Sequence, residues 1–341
     1  MTYLTCIEPL YPLKGEPVAK SSDKPGKIGL YVFGLGEIFV GLLYALISLV
    51  MLAIPKLPSP NPQLPMPQMW PIALMGVTFS SFVIALGVGT FMAKRWARKI
   101  MLILSWYGLG AGLITILFLV FFMGSFLDTA FSSAPNITPT AIRGIKIGMM
   151  VAMGVFYIIL PGIFILFYQS KYVLSAVEYY DPQENWMDAC PTPVFAVSFF
   201  SVFGAIAMGI FGLMMLGTDS PSFAMVVPVW AIALFLALMF GALTYIAIGF
   251  YQLDMKAWWA ALFLVVFGCV ATFFIFKIMD PLSLYEQMKV PQAQIDQIKK
   301  TGMLDMFKSM SNGGWLMMLP YLAYLGFVRK YFLRDGSKKS R

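Results

Sequence analysis

Glu37 is the one carboxylate well inside a long apolar stretch, in the run that begins at Ile28. In a helix it lies roughly 14 Å along the axis at about 1.5 Å per residue. At about 100° per residue, Gly34, Gly41, Tyr44 and Ser48 share its face. A carboxyl in such a setting can carry a proton or coordinate a cation, and an ionisable group inside a membrane segment marks function by default. The same residues also admit a packing role, with the carboxyl protonated or bonded to a tyrosine or a backbone carbonyl. No basic residue lies at matching depth to pair with Glu37, and at that depth the fifth apolar stretch offers only Ser198 and Ser201. A coupled transporter generally needs more than one such group. Packing is therefore the favoured reading, with Glu37, Tyr44 and Ser48 as the candidate intramembrane polar site.

Other chemistry finds less support. There is no histidine, which removes the commonest general base, metal ligand and haem ligand. Cys6, Cys190 and Cys269 are far apart and form no CxxC pair. The 25 methionines, with Met149, Met150 and Met153 at helical spacing and pairs at Met214-Met215 and Met317-Met318, suit thioether ligation of Cu(I). Without histidine or paired cysteine, adaptable apolar filler is the simpler account. Gly108, Gly110 and Gly112 lie within an apolar stretch with no GK[ST] and no preceding strand, so they form no phosphate loop. With Gly34, Gly41, Gly204, Gly209 and Gly212 they allow close helix contact instead. HExxH, GxSxG and paired intramembrane aspartates are absent. The expectation is a protein that is no enzyme, with no cofactor and no metal site.

These residues must be positioned by helices in lipid. The chain is 60% hydrophobic and 12% charged, against roughly 45–50% and about 25% for soluble domains. A water-soluble fold of this size cannot hide that apolar surface, so the solvent is a bilayer. The formal charge of +8 sits at segment ends and in the C-terminal tail, as membrane orientation requires, and does not indicate nucleic acid. Segments long enough to span are 28–54, 71–92, 100–122, 145–168, 194–216, 227–250, 257–276 and 314–332. The expected fold is an all-α integral membrane protein of about eight transmembrane helices.

With the N-terminus cytoplasmic, the inside segments hold 16 of the 24 lysines and arginines, and five of the other eight belong to the loop 277–313. Both termini inside is the orientation this bias predicts. Residues 1–27 form a cytoplasmic segment without a signal-peptide pattern, and 333–341 a basic cytoplasmic tail. Residues 55–70 are a proline-stiffened connection. In 277–313, apolar residues at helical spacing predict amphipathic helices on the outer surface.

A repeat organises the spans. Leu160-Pro161, nine residues and Lys171-Tyr172 recur as Leu319-Pro320, nine residues and Lys330-Tyr331, at an offset of 159. Gly87, six residues and Lys94-x-Trp96 recur as Gly249, six residues and Lys256-x-Trp258, at 162. The reading is two four-helix repeats, 28–172 and 191–332, joined by a cytoplasmic linker 173–190. An even number of spans per unit gives both copies the same orientation, so the repeats are parallel. Pro161 and Pro320 are the repeat-equivalent helix breaks. In the linker, Asp188 is placed to cap the fifth helix, with Pro191 in its first turn.

The stretch Tyr179–Val194, YYDPQENWMDACPTPV, resembles uncharacterised bacterial polytopic inner-membrane proteins with an Asp-Pro, Trp, Cys-Pro-x-Pro segment before a transmembrane helix. VPQAQIDQIKKTGM, around Pro291, is similar to an extracytoplasmic segment of such proteins. The resemblance implies a multi-pass protein of the bacterial inner membrane and attaches no chemistry. The functional expectation is a non-catalytic scaffold or accessory subunit of a membrane assembly, touching lipid and either protein partners or further copies of itself. The alternative is a transporter or channel for a small solute or ion, using Glu37.

Overall fold

A computed structural model describes residues 26–53, 70–118, 138–216, 228–278 and 318–336, with isolated positions 292, 295–296 and 299. All its regular structure is helical; no strand occurs among the described residues. The order is α1 (Ile28–Ala53), α2 (Trp70–Phe91), α3 (Arg95–Phe118), α4 (Pro139–Gly154), a π-helical turn (Val155–Ile159), α5 (Leu160–Gln169) and α6 (Lys171–Tyr180). There follow α7 (Thr192–Leu216), α8 (Val229–Tyr251), α9 (Met255–Ile278) and α10 (Leu319–Gly336).

Among the described residues, six helical stretches are long and apolar enough to cross a membrane: Ile28–Leu52, Ala73–Phe91, Arg95–Leu117, Arg143–Gln169, Thr192–Gly212 and Trp230–Tyr251. Their outward faces carry exposed Leu35, Phe39, Leu42, Phe156, Leu166, Phe235 and Leu238, which water would not tolerate in such density. The chain is a membrane-embedded, multi-pass helical protein. The expected count of eight is not reached on these criteria. In α9 the strongly apolar part, Met255–Ala271, is shorter than the others, and α10 carries Arg329, Lys330 and Arg334.

The described chain gathers into two compact units, one within residues 1–107 and 160–192, the other within 108–159 and 193–341. In the first, α1 and α2 run closely together and α5 and α6 pack beside them. The residues expected as a bare linker, 173–190, include most of α6, which buries Val173, Ala176 and Val177 on one face. Ser170 caps it by accepting from the Val173 N–H at 3.3 Å.

Pro161 breaks its helix in an identifiable way. It has no N–H for the Tyr157 carbonyl four residues earlier, and its ring crowds that oxygen. The helix widens into the π turn immediately before it. Gly112 of α3 lies against the freed carbonyl; a Cβ there would stand 2.5 Å from Tyr157 O. Pro320 differs from its expected counterpart, lying in the first turn of α10. Proline fits that position without strain because the missing N–H has no helical acceptor there.

Of the expected outer loop 277–313, only residues 277–278, 292, 295–296 and 299 are described, all helical. The amphipathic helices, the proline-rich 55–69 connection and the basic tail beyond Gly336 lie outside the described residues, as does residue 1–25 of the N-terminal segment.

Candidate functional site

The α1–α2 seam is built from small residues one heptad apart. A Cβ on Gly34 would lie 2.7 Å from Phe91 N and 2.8 Å from Gly87 O, and one on Gly41 would lie 2.6 Å from Ile84 Cγ1. Ser48 continues the row against Gly76 and donates its hydroxyl to its own Tyr44 carbonyl at 2.8 Å. These residues let the two backbones approach, as in lipid, where side-chain burial alone does not drive association.

Glu37 lies on this seam and is 5% exposed. Tyr168 of α5, with no exposed surface, donates its hydroxyl to Glu37 Oε1 at 2.5 Å. The Tyr168 oxygen is 3.0 Å from Thr90 Oγ1 of α2, itself buried. Since the phenol proton goes to Glu37, the threonine hydroxyl is the donor in that second bond. The chain therefore runs Thr90 to Tyr168 to Glu37 across three helices. Glu37 Oε2 has no hydrogen-bond partner among the described residues. Phe33 closes the flank, stacked on Phe167 with centroids 3.8 Å apart and edge-on to Phe164. On the backbone side, Arg98 Nε donates to the Tyr168 carbonyl at 3.0 Å.

Beyond Arg98 a polar region binds the segment after α6 to the start of α3. Asp181 Oδ2 accepts from the Arg95 N–H at 3.1 Å, capping α3 from a distant part of the chain. Its Oδ1 is 3.4 Å from Lys94 Nζ, and its carbonyl accepts from Arg95 Nε at 2.6 Å. The buried ammonium of Lys99 donates to the carbonyls of Met187 and Cys190, the latter at 2.8 Å. Burial pushes the Cys190 thiol up to about 11, although Lys99 nearby acts in the opposite direction. Asp188 is not the expected cap of the fifth span: it accepts from the Asn185 N–H at 3.0 Å. The helix begins at Thr192, with Pro193 in its first turn.

The expected polar face separates in space. Glu37 and Ser48 are both buried on the seam but belong to different contacts. Tyr44 is exposed and meets Phe79 edge-on, because its ring extends past the seam. Gly108 is half-buried. The glycines of α7 do not mark tight contact: Cβ atoms on Gly204, Gly209 and Gly212 would find neighbours only at ordinary distances of 3.4, 3.7 and 3.6 Å. Among the described residues, no group of three or more His, Cys, Asp or Glu side chains could hold a metal ion. Sequence reasoning missed Tyr168 and Thr90. The available signal was a hydroxyl near the end of each of two apolar stretches, at the end of the bundle that Glu37 approaches.

The two units contain matching local geometry at a spacing of 160. After α2, Ala93 takes φ 58°; after α8, Leu253 takes φ 56°. In both turns the following N–H reaches back to a glycine, Lys94 N to Gly89 O and Asp254 N to Gly249 O, each at 2.8 Å. This is the helix-terminating turn with a left-handed residue. Gly89 faces Ala97 and Gly249 faces Ala257. Gly87 meets Ile38, and at the corresponding positions Ser198 donates to the Ala247 carbonyl at 2.6 Å. Phe33 meets Phe164, and correspondingly Tyr324 donates to the Pro193 carbonyl at 2.8 Å. Arg98 and Trp258, again 160 apart, each send a side-chain N–H to a carbonyl of α5 and α10 respectively, Trp258 Nε1 to Leu325 O at 2.9 Å.

Comparison of the chain with protein families, with curated proteins and with solved structures finds no match.

Proposed function

We propose that this chain is a non-catalytic scaffold or accessory subunit of a bacterial inner-membrane assembly. The observation that carries this reading is the fixed mount beyond α6. Asp181, Lys94, Arg95 and Lys99 spend their charges on holding residues 181–190 to α3, while Tyr179 and Trp186 remain exposed. Aromatic side chains on a pre-organised surface give a partner contact area at little ordering cost. The occupant is a membrane-protein partner or a second copy of the chain. Co-purification in mild detergent is expected to recover a stoichiometric partner or an oligomer, and the Tyr179→Ala/Trp186→Ala double variant to lose it while staying monodisperse. A monomeric wild type, unchanged by the double variant, would overturn the reading.

The architecture under this reading is eight spans in two parallel repeats, with α9 and α10 as the seventh and eighth and both ends cytoplasmic. The turns and contacts at a spacing of 160 support the duplication. They favour a register of 160, between the sequence matches at 159 and 162, in which Gly89 rather than Gly87 corresponds to Gly249. Reporter fusions after Arg341 and before Met1 are expected to report the same, cytoplasmic side. Opposite sides would remove the parallel arrangement.

A second reading, movement of a small ion past Glu37, is favoured by the unpartnered Oε2.

A further inference from the structure

The register at 160 assigns a counterpart to each member of the buried polar chain. Glu37, Thr90 and Tyr168 correspond to Val197, Phe250 and Val328. The counterparts are 3%, 0% and 0% exposed, so all three corresponding positions are buried in the second unit as well. The volumes compensate across the set: small Thr90 and large Tyr168 correspond to large Phe250 and small Val328. Volume-conserving exchanges of this kind preserve packing. One unit thus buries apolar side chains at these positions, and the other a carboxyl and two hydroxyls. Apolar side chains are buried at all three counterpart positions, so burial by itself does not require a carboxyl there.

The hydrogen bonds show what the carboxyl lacks. Tyr168 supplies one proton, to Oε1, and the Thr90 hydroxyl bonds the Tyr168 oxygen. From α2 the group facing Glu37 is Thr90, and from α5 it is Tyr168. From α3, the Arg98 guanidinium is directed to the Tyr168 carbonyl. Among the described residues Oε2 is left buried with no donor, where an uncompensated negative charge is strongly unfavourable. A proton is the smallest cation that completes this site.

We propose that Glu37 is a proton-binding site held by Tyr168 and Thr90 in the first repeat alone, and that the fold does not need it. Binding adds one proton from water to Oε2; release returns it, with no other bond made or broken. The claim concerns binding and stands apart from partner association. It depends on the 160 register only for the counterparts.

The test uses the full chain in lipid nanodiscs, read by pH-difference infrared spectroscopy. The wild type is expected to show a protonated-carboxyl C=O band that exchanges for carboxylate bands as pH is raised. Glu37→Gln should lose that band, and Tyr168→Phe should keep it at a shifted frequency and a shifted midpoint. The exchange Glu37→Val/Thr90→Phe/Tyr168→Val, which installs the second unit's residues, should remain folded and melt no lower than the wild type. A band that survives in Glu37→Gln, or no protonated carboxyl at any pH at which the protein stays folded, would overturn proton binding. Aggregation or early melting of the triple exchange, with Glu37→Gln folded, would overturn the dispensability of the site. Proton flux in proteoliposomes bears on the transport reading separately: its absence together with the band leaves binding in place.

Discussion

Individual side chains here are constrained by backbone approach and by desolvation, and the two give separable expectations. Gly34 and Gly41 face backbone or a packed side chain within 2.7 Å of any added Cβ. Gly34→Ala and Gly41→Ala should each lower stability by about 1–3 kcal/mol, the usual cost of overpacking. Gly110 has nothing within 4 Å of its Cβ position, so Gly110→Ala should be neutral or gain up to about 1 kcal/mol from helix propensity. Melting curves in one detergent compare all three, and equal losses at Gly34 and Gly110 would refute the seam. Cys190 tests desolvation. Its thiol is pushed up to about 11 by burial, and only the thiolate reacts with maleimide. In a Cys6→Ser/Cys269→Ser background, labelling at pH 8 should be at least about 100-fold slower folded than denatured, given an unfolded value near about 8.5. The folded pKa is the raised one, so this burial favours folding below the unfolded value. That contribution should fade as pH rises toward 11.

At the scale of elements, helix ends carry the information that apolar periodicity does not. Asp254, immediately before α9, accepts from the Lys256 N–H at 2.9 Å. The corresponding residue before α3 is Lys94, which cannot accept, and Asp181 takes over from outside. Asp181→Ala should therefore cost about 1–2 kcal/mol as a lost cap and open residues 181–190 to protease, while Asp254→Ala leaves that segment resistant. Limited proteolysis followed by mass spectrometry distinguishes the two. Six of the expected spans were legible from length and apolarity, because lipid leaves the backbone few options besides helix. Glu37 was legible because a carboxylate is conspicuous among leucines and valines. Its partners were not: Tyr168 lies 131 residues away, and one sequence carries no distance information. Tyr44 was misplaced for the same reason, since a shared helical face does not say which neighbour occupies each part of it. The proposed repeat rests in the sequence on glycines, prolines and lysines, whereas the 160-residue spacing rests on turns and contacts. The left-handed Ala93 and Leu253, neither a glycine, gave no signal in the sequence.

For the molecule as a whole, the distant cap of α3 has a consequence for manufacture. The second hairpin, α8–α9, carries its own capping carboxylate and is complete as soon as it is made. The first must wait for a carboxylate supplied 86 residues after Arg95. At a translation rate of about 5–20 residues per second, that is a delay of roughly 4–17 s. During it the opening turn of α3 lacks its Asp181 cap, and Lys94 and Arg95 lack their Asp181 partner. Biogenesis of the N-terminal bundle is thus finished only when the chain has crossed back and α6 has emerged from the ribosome, and a message truncated before Asp181 would deliver four spans with the third left uncapped.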